Sequence, residues 1–169
     1  MEQLTIRSAQ IGDAEAIIKH TKHVLAENPL YYGTAVDEFM ITVEEEEEWI
    51  KSHTDKGVIL LAELGGQLVG MVHLRLSTSR RFAHQAILGI SIKEAFAGKG
   101  IGSKLIKQLL EWAKENPQIE KVSLEVFSNN ERGMHLYKKL GFKEEGRRVR
   151  NARLDDGTYV DDIIMAQFV

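Results

Sequence analysis

The clearest pattern of apolar and polar residues lies between positions 87 and 116. Residues 87–92 (ILGISI) are a short apolar run with β-branched side chains, which is typical of a buried strand. After a glycine-rich loop, apolar residues recur at the spacing of one helix face: Ile101, Leu105, Ile106, Leu109, Leu110 and Ala113. Asn116 precedes Pro117, and the residue before a proline is disfavoured in a helix. The pattern therefore predicts a strand, a loop and an amphipathic helix that ends near Asn116.

The N-terminal third contains one predicted strand and two predicted helices. Residues 4–7 form the strand, and Asp13 is a candidate N-cap for a helix that runs to Asn28. Thr42 and Glu45 have the spacing of a capping box and predict the start of the second helix. Glutamates fill the first turn of that helix, where negative charge suits the helix dipole. We interpret this acidic run as a solvated helix start, with attraction of a cationic acceptor as the alternative.

Later segments complete the set of predicted elements. Residues 58–63 and 67–76 alternate like two strands of a hairpin around a Gly-Gly turn. A further strand is predicted at 122–127 and a helix at 131–140, with Asn130 and Gly141 as its cap residues. Two final strands flank a turn at 155–158. The resulting order, β-α-α-β-β-β-α-β-α-β-β, predicts a mixed sheet with helices on both faces.

Composition limits the class of protein. The 169 residues predict a single domain, residues 1–169, with the apolar and charged fractions of an ordinary globular protein. Cysteine is absent, which rules out disulfides, a cysteine nucleophile and thiolate metal sites, and favours a cytoplasmic protein. No apolar run approaches membrane-spanning length, and the N-terminus has no signal-peptide pattern, so we expect no membrane association.

Charge is unevenly distributed along the chain. Residues 1–92 carry 8 Lys/Arg and 13 Asp/Glu, whereas residues 93–153 carry 14 and 8. The basic segment contains the glycine loop at 98–103, whose flexible backbone and following helix N-terminus would suit a diphosphate. A tight turn without a ligand explains the same glycines. The spacing excludes a Walker loop and disfavours a dinucleotide fingerprint. Nucleic-acid binding is not expected, because aromatic residues do not alternate with the basic ones.

Several histidines are candidates for metal binding or proton transfer. His20 and His23 are three residues apart, but nothing else in the pattern completes a metal site, so we expect both to face solvent and no metal to be bound. His73 alternates with Val72 and Leu74 and should lie on one sheet face.

Two separated motifs resemble the GNAT superfamily of acyl-CoA-dependent N-acyltransferases. The first is the glycine loop GKGIGS at 98–103 after the strand ending GISI. The second is LEVFSNN at 124–130 followed by HLYKKLGF at 135–142. The resemblance extends over essentially the whole chain, and closer relatives resemble ribosomal-protein N-terminal acetyltransferases and amino-acid acetyltransferases. Ala97 and Gly133 depart from the family pattern, which expects Arg or Gln and alanine there. The resemblance implies a GNAT-like α/β (α+β) fold with a mixed, mostly antiparallel seven-stranded sheet and helices on both faces.

The resemblance also implies how acetyl-CoA would be bound. The backbone of Ile90, Ser91 and Ile92 would bond the pantetheine arm. Backbone amides of the loop and first helical turn would hold the diphosphate, and these are residues Gly98, Lys99, Gly100, Ile101, Gly102, Ser103 and Lys104. Asn130 would contact the cosubstrate near its reacting end, and a role as a helix cap is compatible with this. No metal is implied.

The implied chemistry is direct attack of an amine on the thioester. It needs a proton acceptor, donors for the developing oxyanion and an acid near the departing sulfur. Tyr137 is the implied acid, and the alternative is a buried aromatic with no catalytic part. Glu125 is the leading base, with a salt-bridged strand residue as the alternative and His84 and His73 in reserve. The amide of Ile92 or a neighbour is the implied oxyanion donor.

The sequence therefore favours an acetyl-CoA-dependent N-acetyltransferase. The alternative is a non-catalytic acyl-CoA-binding or sensor domain with the same fold. Among acceptors, a protein N-terminus or basic peptide ranks first, followed by a small amine such as a polyamine, amino acid or aminoglycoside. Tyr31, Tyr32 and Phe39 are candidates for the acceptor side. Many members of the family are dimers, so a homodimer is possible.

Overall fold

The computed structural model describes residues 2–169, and its elements follow the predicted order. The strands are β1 (Leu4–Ser8), β2 (Val58–Leu64), β3 (Gln67–Leu76), β4 (Gln85–Ile92), β5 (Lys121–Phe127), β6 (Lys143–Arg153) and β7 (Tyr159–Phe168). The helices are α1 (Ala14–Glu27), α2 (Val43–Lys56), α3 (Ile101–Glu115) and α4 (Glu131–Lys139). The predicted boundaries agree with these to within two residues, apart from the end of α2 and the ends of the last two strands, which the pattern did not fix.

All seven strands belong to one sheet, in the order β1-β2-β3-β4-β5-β7-β6. Neighbouring strands are antiparallel except β4 and β5, which are parallel. The parallel pair requires a crossover, and α3 supplies it. The predicted mixed, mostly antiparallel seven-stranded sheet is thereby confirmed.

Helices cover both faces of the sheet. Because side chains alternate along a strand, β2 and β3 contribute to two separate cores. Leu60, Val72 and Leu74 pack in the larger core, to which α3 supplies its whole apolar face. Ile59 and Met71 point the other way and pack in a smaller core with residues of α1 and α2. The sheet therefore separates the α3 side from the α1–α2 side.

Helix ends follow the predicted capping residues at α2 and α4. The Thr42 amide donates to Glu45 Oε2 at 2.9 Å, and the Glu45 amide donates to Thr42 Oγ1 at 3.2 Å, which completes the capping box. Asn130 Oδ1 accepts the Gly133 amide at 2.9 Å. Gly141 follows α4 with a φ of +98°, a value that favours glycine.

The expectation for Asp13 is wrong in one respect. Asp13 directly precedes α1, but its carboxylate does not cap that helix. It accepts two hydrogen bonds of 2.8 Å from the Arg7 guanidinium, and the Gln10 amide donates to Asp13 Oδ2 at 2.7 Å. The Arg7 bonds hold the pKa of Asp13 below its usual range. A cation on β1 competes successfully for the carboxylate, and only the fold brings that cation close.

The acidic run in α2 is only partly solvated. Glu44, Glu45 and Glu48 are exposed as expected, whereas Glu46 is buried. It lies one turn before the buried Ile50, so the helix period directs it to the protein side. Burial raises the pKa of Glu46.

None of the helices between residues 2 and 169 combines the length and the apolar character that a bilayer crossing requires.

Candidate active site

A cleft forms where β4 and β5 separate. The two strands pair only over Gln85–Lys121, Ala86–Val122 and Ile87–Ser123. Beyond Ile87, β4 keeps β3 as its partner, and β5 keeps β7. A cleft of about 960 Å³ opens between the diverging halves. Its size is in the range of small-molecule and cofactor sites.

One end of the cleft is closed by the glycine loop that precedes α3. Gly98 and Gly100 have φ values of +72° and +79°, which residues with a Cβ rarely adopt. The Ala97 amide donates to Glu94 O. The next amide along the chain that has a backbone acceptor is that of Lys104, which donates to Gly100 O. The intervening amides, at residues 98–103, therefore lack backbone partners within residues 2–169. Unpaired amides at the positive end of a helix dipole suit an anionic ligand.

The open edge of β4 offers further unpaired backbone groups. The Lys93 amide donates to Val69 O at 3.0 Å, and the register of β3 and β4 is unbroken from Leu76–Ala86 to Gly70–Ile92. Backbone groups point in alternate directions along a strand. Those of Ile90 and Ile92 therefore point toward the gap, and those of Ser91 point toward β3. An extended ligand can bond Ile90 and Ile92 as an additional strand would.

Tyr137 lies in α4 and forms part of the cleft wall. The residue is 8% exposed and packs edge-on against Phe142, with ring centroids 6.2 Å apart. Burial, together with the neighbouring Tyr32 hydroxyl, raises its pKa. At neutral pH the phenol therefore carries its proton and can donate it to a group in the cleft.

Glu125 lies across the cleft in β5. The side chain is exposed, while Leu124 and Val126 on either side are buried, as the alternation predicted. Its Oε1 accepts a hydrogen bond of 3.0 Å from Arg148 Nη1, and the same nitrogen donates to Asp162 Oδ2 at 2.7 Å. One guanidinium thus holds two carboxylates at the cleft. Burial and the charge of Glu125 raise the pKa of Asp162.

The segment between α1 and α2 contributes a third wall. Asn129 Nδ2 donates to Leu30 O at 2.8 Å and ties this segment to the end of β5. Tyr31 and Tyr32 line the cleft, whereas Phe39 lies outside its lining. Burial raises the pKa of Tyr32 to about 12.

An ion pair lies beside this wall. Arg132 donates from both terminal nitrogens to Glu94, at 2.9 and 2.7 Å, and lines the cleft between the loop and the tyrosines. It holds the pKa of Glu94 below its usual range.

Comparisons with known proteins agree with this geometry. The sequence profile described as "Acetyltransferase (GNAT) family" matches residues 25–142, more than half of the chain. The chain belongs to the GNAT acetyltransferase family. It is accordingly an acyltransferase of the class that uses acetyl-CoA to acetylate its acceptor. The resemblance inferred from the two motifs is confirmed.

Individual relatives align with most or nearly all of this chain. It is 28% identical to the L-amino acid N-acetyltransferase AaaT of Escherichia coli, with 99% of each chain covered. An N-alpha-acetyltransferase of Sulfurisphaera tokodaii is 31% identical over 85% of this chain and 82% of its own. A crystal structure of a GNAT-family acetyltransferase from Streptococcus pneumoniae superposes with a TM-score of 0.94 at 29% identity, covering 99% of this chain and 100% of that one.

Most residues that the GNAT resemblance implies for cosubstrate binding line the cleft. These are Ile90, Ser91, Ile92, Gly98, Gly100, Gly102, Ser103 and Asn130. Three lie outside the lining. Ile101 is buried in the larger core, Lys104 is exposed, and Lys99 Nζ lies 5.3 Å from the centre of the Phe96 ring. Lys99 and Ile101 can contribute through their backbone amides, whereas the Lys104 amide already donates to Gly100 O.

The two histidines that were the reserve candidates for the base lie away from the cleft. His73 packs against Trp49 and His53 on the α1–α2 side of the sheet, with ring centroids 5.1 and 5.3 Å away. His84 precedes β4 at the end opposite the glycine loop, and its carbonyl accepts the amides of Glu120 and Lys121. Glu125 is therefore the better placed of the proposed bases.

Some residues of the GNAT cleft were missed from the sequence. Asp162 and Arg148 join Glu125 through strand pairing between β5, β7 and β6, and no local pattern reports that pairing. An Asp-Asp pair directly before the apolar run of β7 was a weak signal for a buried carboxylate. His20 was expected to face solvent, and this is wrong, because it is buried and bonded to the cleft residue Ser91. Its spacing from Ile17 and Val24 was a usable signal.

Within residues 2–169, no three histidine, aspartate or glutamate side chains converge in a way that could hold a metal ion.

Proposed function

We propose that this chain transfers an acetyl group from acetyl-CoA to a primary amine, by direct attack within a ternary complex. The observation that carries the proposal is the meeting, in one cleft, of the loop amides at 98–103 with Tyr137 and Glu125. The amides suit a diphosphate, and the two side chains suit an acid and a base. A non-catalytic acyl-CoA-binding domain would need the loop amides but not the acid and the base.

The proposed cosubstrate site follows the length of the cleft. Amides of residues 98–103 bind the diphosphate at the α3 N-terminus. The pantetheine arm lies between β4 and β5 and bonds the backbone of Ile90 and Ile92. Asn130 keeps its capping bond to Gly133 and borders the same channel. The thioester then lies toward Glu125, on the far side of Ile90 from the loop.

The cationic amine first loses one proton to bulk water, and the chemistry then needs two further proton transfers. The neutral amine attacks the thioester carbonyl, a C–N bond forms, and the C–S bond breaks with its electron pair leaving on sulfur. Tyr137 donates a proton to the thiolate, while Glu125 accepts the ammonium proton directly or through water. Of the β4 amides that face the gap, that of Ile90, the neighbour of Ile92 nearer the thioester, donates to the developing oxyanion. Arg148 orients Glu125 in the free protein through the 3.0 Å bond.

The proposed acceptor is a primary amine that is cationic before it binds. Glu125 and Asp162 place carboxylates at the acceptor end of the cleft, and Tyr31 and Tyr32 border it. The names of the relatives suggest two classes, a protein or peptide N-terminus and a free L-amino acid. We rank the peptide N-terminus first and the small amine second.

The test measures release of free CoA thiol from acetyl-CoA by the purified protein against a panel of amines. The panel contains N-terminal peptides, L-amino acids, spermidine and an aminoglycoside. We expect release with one class of amine. In Tyr137→Phe we expect kcat to fall by about 100-fold, a typical contribution of a general acid, because the ring packing is kept while the proton is lost.

Two controls separate the possible outcomes. Tyr159→Phe removes the hydroxyl of a half-exposed tyrosine at the start of β7, outside the cleft lining, and should leave kcat unchanged. Tight CoA binding without release for any amine would contradict catalysis and favour the binding-domain alternative. Full activity of Tyr137→Phe would leave the transferase proposal standing and remove Tyr137 from it.

A further inference from the structure

His20 is a histidine inside the protein with no part in the chemistry proposed above. It lies in α1 and is 1% exposed, in line with the buried Ile17 one turn before it and Val24 one turn after it. This places the ring against the sheet, at β4. A buried histidine usually has a hydrogen-bond partner, because an unpaired polar group is costly to bury.

The partner of His20 is a residue of the cleft. His20 Nε2 lies 2.8 Å from Ser91 Oγ, and Ser91 lines the space between β4 and β5. The other ring nitrogen, Nδ1, is buried and has no partner within residues 2–169. The bond therefore links a helix on the α1–α2 side directly to the open edge of β4.

The position of the ring proton follows from this geometry. Burial, assisted by the charge of Lys93, lowers the pKa of His20 to about 4, so the ring is neutral at pH 7 and has one N–H. A proton on Nδ1 would be a buried donor without an acceptor, which is rarer and costlier than an unpaired acceptor. The proton therefore resides on Nε2, and His20 donates to Ser91 Oγ.

This assignment fixes what Ser91 can do. Its backbone points toward β3, so its contribution to the cleft comes from the side chain. Within residues 2–169, Ser91 Oγ has His20 as its hydrogen-bond partner. Because the oxygen already accepts from His20, its own hydrogen is free to be donated. The available direction is into the cleft.

We propose that His20 is a positioning residue that holds the Ser91 hydroxyl as a hydrogen-bond donor to a carbonyl of the pantetheine arm of acyl-CoA. This rests on the proposed function. Ser91 lies along β4 between the loop that suits the diphosphate and the end of the cleft marked by Glu125. The ligand segment beside it is therefore the arm, whose two amides carry carbonyl acceptors. The pair acts on cosubstrate affinity and not on proton transfer.

The test compares two ligands by titration calorimetry, CoA and ADP. ADP contains the diphosphate but not the arm. We expect Ser91→Ala to weaken CoA binding by about 5- to 10-fold, the effect of one neutral hydrogen bond, and to change ADP binding by less than about twofold. His20→Leu should give the same result. His20→Gln should restore CoA affinity, because its side-chain amide can place a donor near the Nε2 position.

The double variant and the kinetics make the test specific. If His20 acts through Ser91, His20→Leu/Ser91→Ala should bind CoA no more weakly than Ser91→Ala alone. The KM for acetyl-CoA should rise in these variants while kcat stays near its original value. Unchanged CoA affinity in Ser91→Ala would overturn the proposal, as would equal losses for CoA and ADP in His20→Leu. Failure of the original protein to bind CoA would instead contradict the proposed function.

Discussion

Glu125 shares one arginine with a second carboxylate of the cleft. In the free protein its carboxylate shares Arg148 with Asp162, and its side chain is 52% exposed. An exposed ion pair of this kind stabilises a fold by at most about 1 kcal/mol. The arrangement is therefore poorly explained by stability alone. In the proposed mechanism it keeps two carboxyl groups at the point where the amine arrives and loses a proton.

Replacement of this carboxylate tests its proposed role as the base. We expect Glu125→Gln to lower kcat by about 100-fold or more, because the amide cannot accept the ammonium proton. The KM for acetyl-CoA should change little. The measurement is thiol release at saturating amine. Glu144→Gln is the matched control, since Glu144 is an exposed, arginine-paired glutamate of β6 outside the cleft lining. Less than a threefold effect in Glu125→Gln would assign proton removal to solvent.

Among the elements, the loop and first turn of α3 combine two requirements. The loop must turn sharply, and its amides must face one point. Gly98 and Gly100 meet both, because their positive φ values turn the chain without a Cβ in the path of a ligand. The apolar face of α3 then fixes the loop by packing against β2 and β3. Sequence pattern and proposed function coincide in this element.

Gly100→Ala tests whether the turn itself matters for anion binding. No atom lies within 4 Å of an added Cβ, so the expected effect is backbone strain of about 1–2 kcal/mol at a φ of +79°. We expect weaker ADP binding, measured by calorimetry, as the amides move. Gly66→Ala is the control, because Gly66 has a φ of +78° and equally open space in the β2–β3 turn. Equal ADP affinity in both variants would contradict the anion site.

For the whole molecule, the sheet consists of two parts joined weakly. Strands β1–β4 and β5–β7 meet only through the three residue pairs at the start of β4 and β5. The parts are held together by the larger core, in which α3 packs with residues of both parts of the sheet. On the α1–α2 side, Trp49, His53 and His73 pack as a cluster of rings. We expect this cluster to make global stability sensitive to acid, because burial lowers the pKa of both histidines.

Acid should destabilise the protein through His73. Burial, followed by the nearby charges of His53 and Arg75, lowers the pKa of His73 to about 4, against about 6.5 in an unfolded chain. Between these values the unfolded state binds a proton that the native state does not. Stability is therefore fully present above pH 6.5 and is lost as the pH falls toward 4, by up to about 1.4 kcal/mol per pH unit.

Urea unfolding between pH 7.5 and 4.5 measures this effect. We expect the free energy of unfolding to fall with pH, and His73→Phe to reduce the slope, because phenylalanine fills similar space without titrating. His53, whose pKa burial also lowers, should account for part of the remaining slope. An identical slope in His73→Phe and the original protein would assign the acid sensitivity to other groups.

A homodimer stays a prediction at this scale. The edge strand β6 and the end of β7 expose Val149 and Phe168, at 72% and 82%. Exposed apolar residues of this kind are also ordinary on monomers.

Local sequence determined the elements and half of the site. Residues 87–116 specified strand, loop and helix by themselves, because hydrophobic period and glycine conformation depend on neighbours in the chain. Thr42, Asn130 and Gly141 were identified as cap residues for the same reason, since capping bonds span only a few positions. The two motifs also determined the family, and with it Tyr137 and Glu125 as candidates.

Tertiary structure decided the contacts between residues far apart in the chain. The packing of elements decides whether Asp13 caps a helix or binds Arg7. It also decides whether His20 faces solvent or contacts Ser91. The contacts of Arg148 with Glu125 and Asp162 depend on strand pairing across β5, β7 and β6. The cleft itself arises where β4 and β5 part, and no local period encodes that separation. Such contacts result from the packing of the whole chain, because packing buries side chains and brings together charges that lie far apart in the sequence.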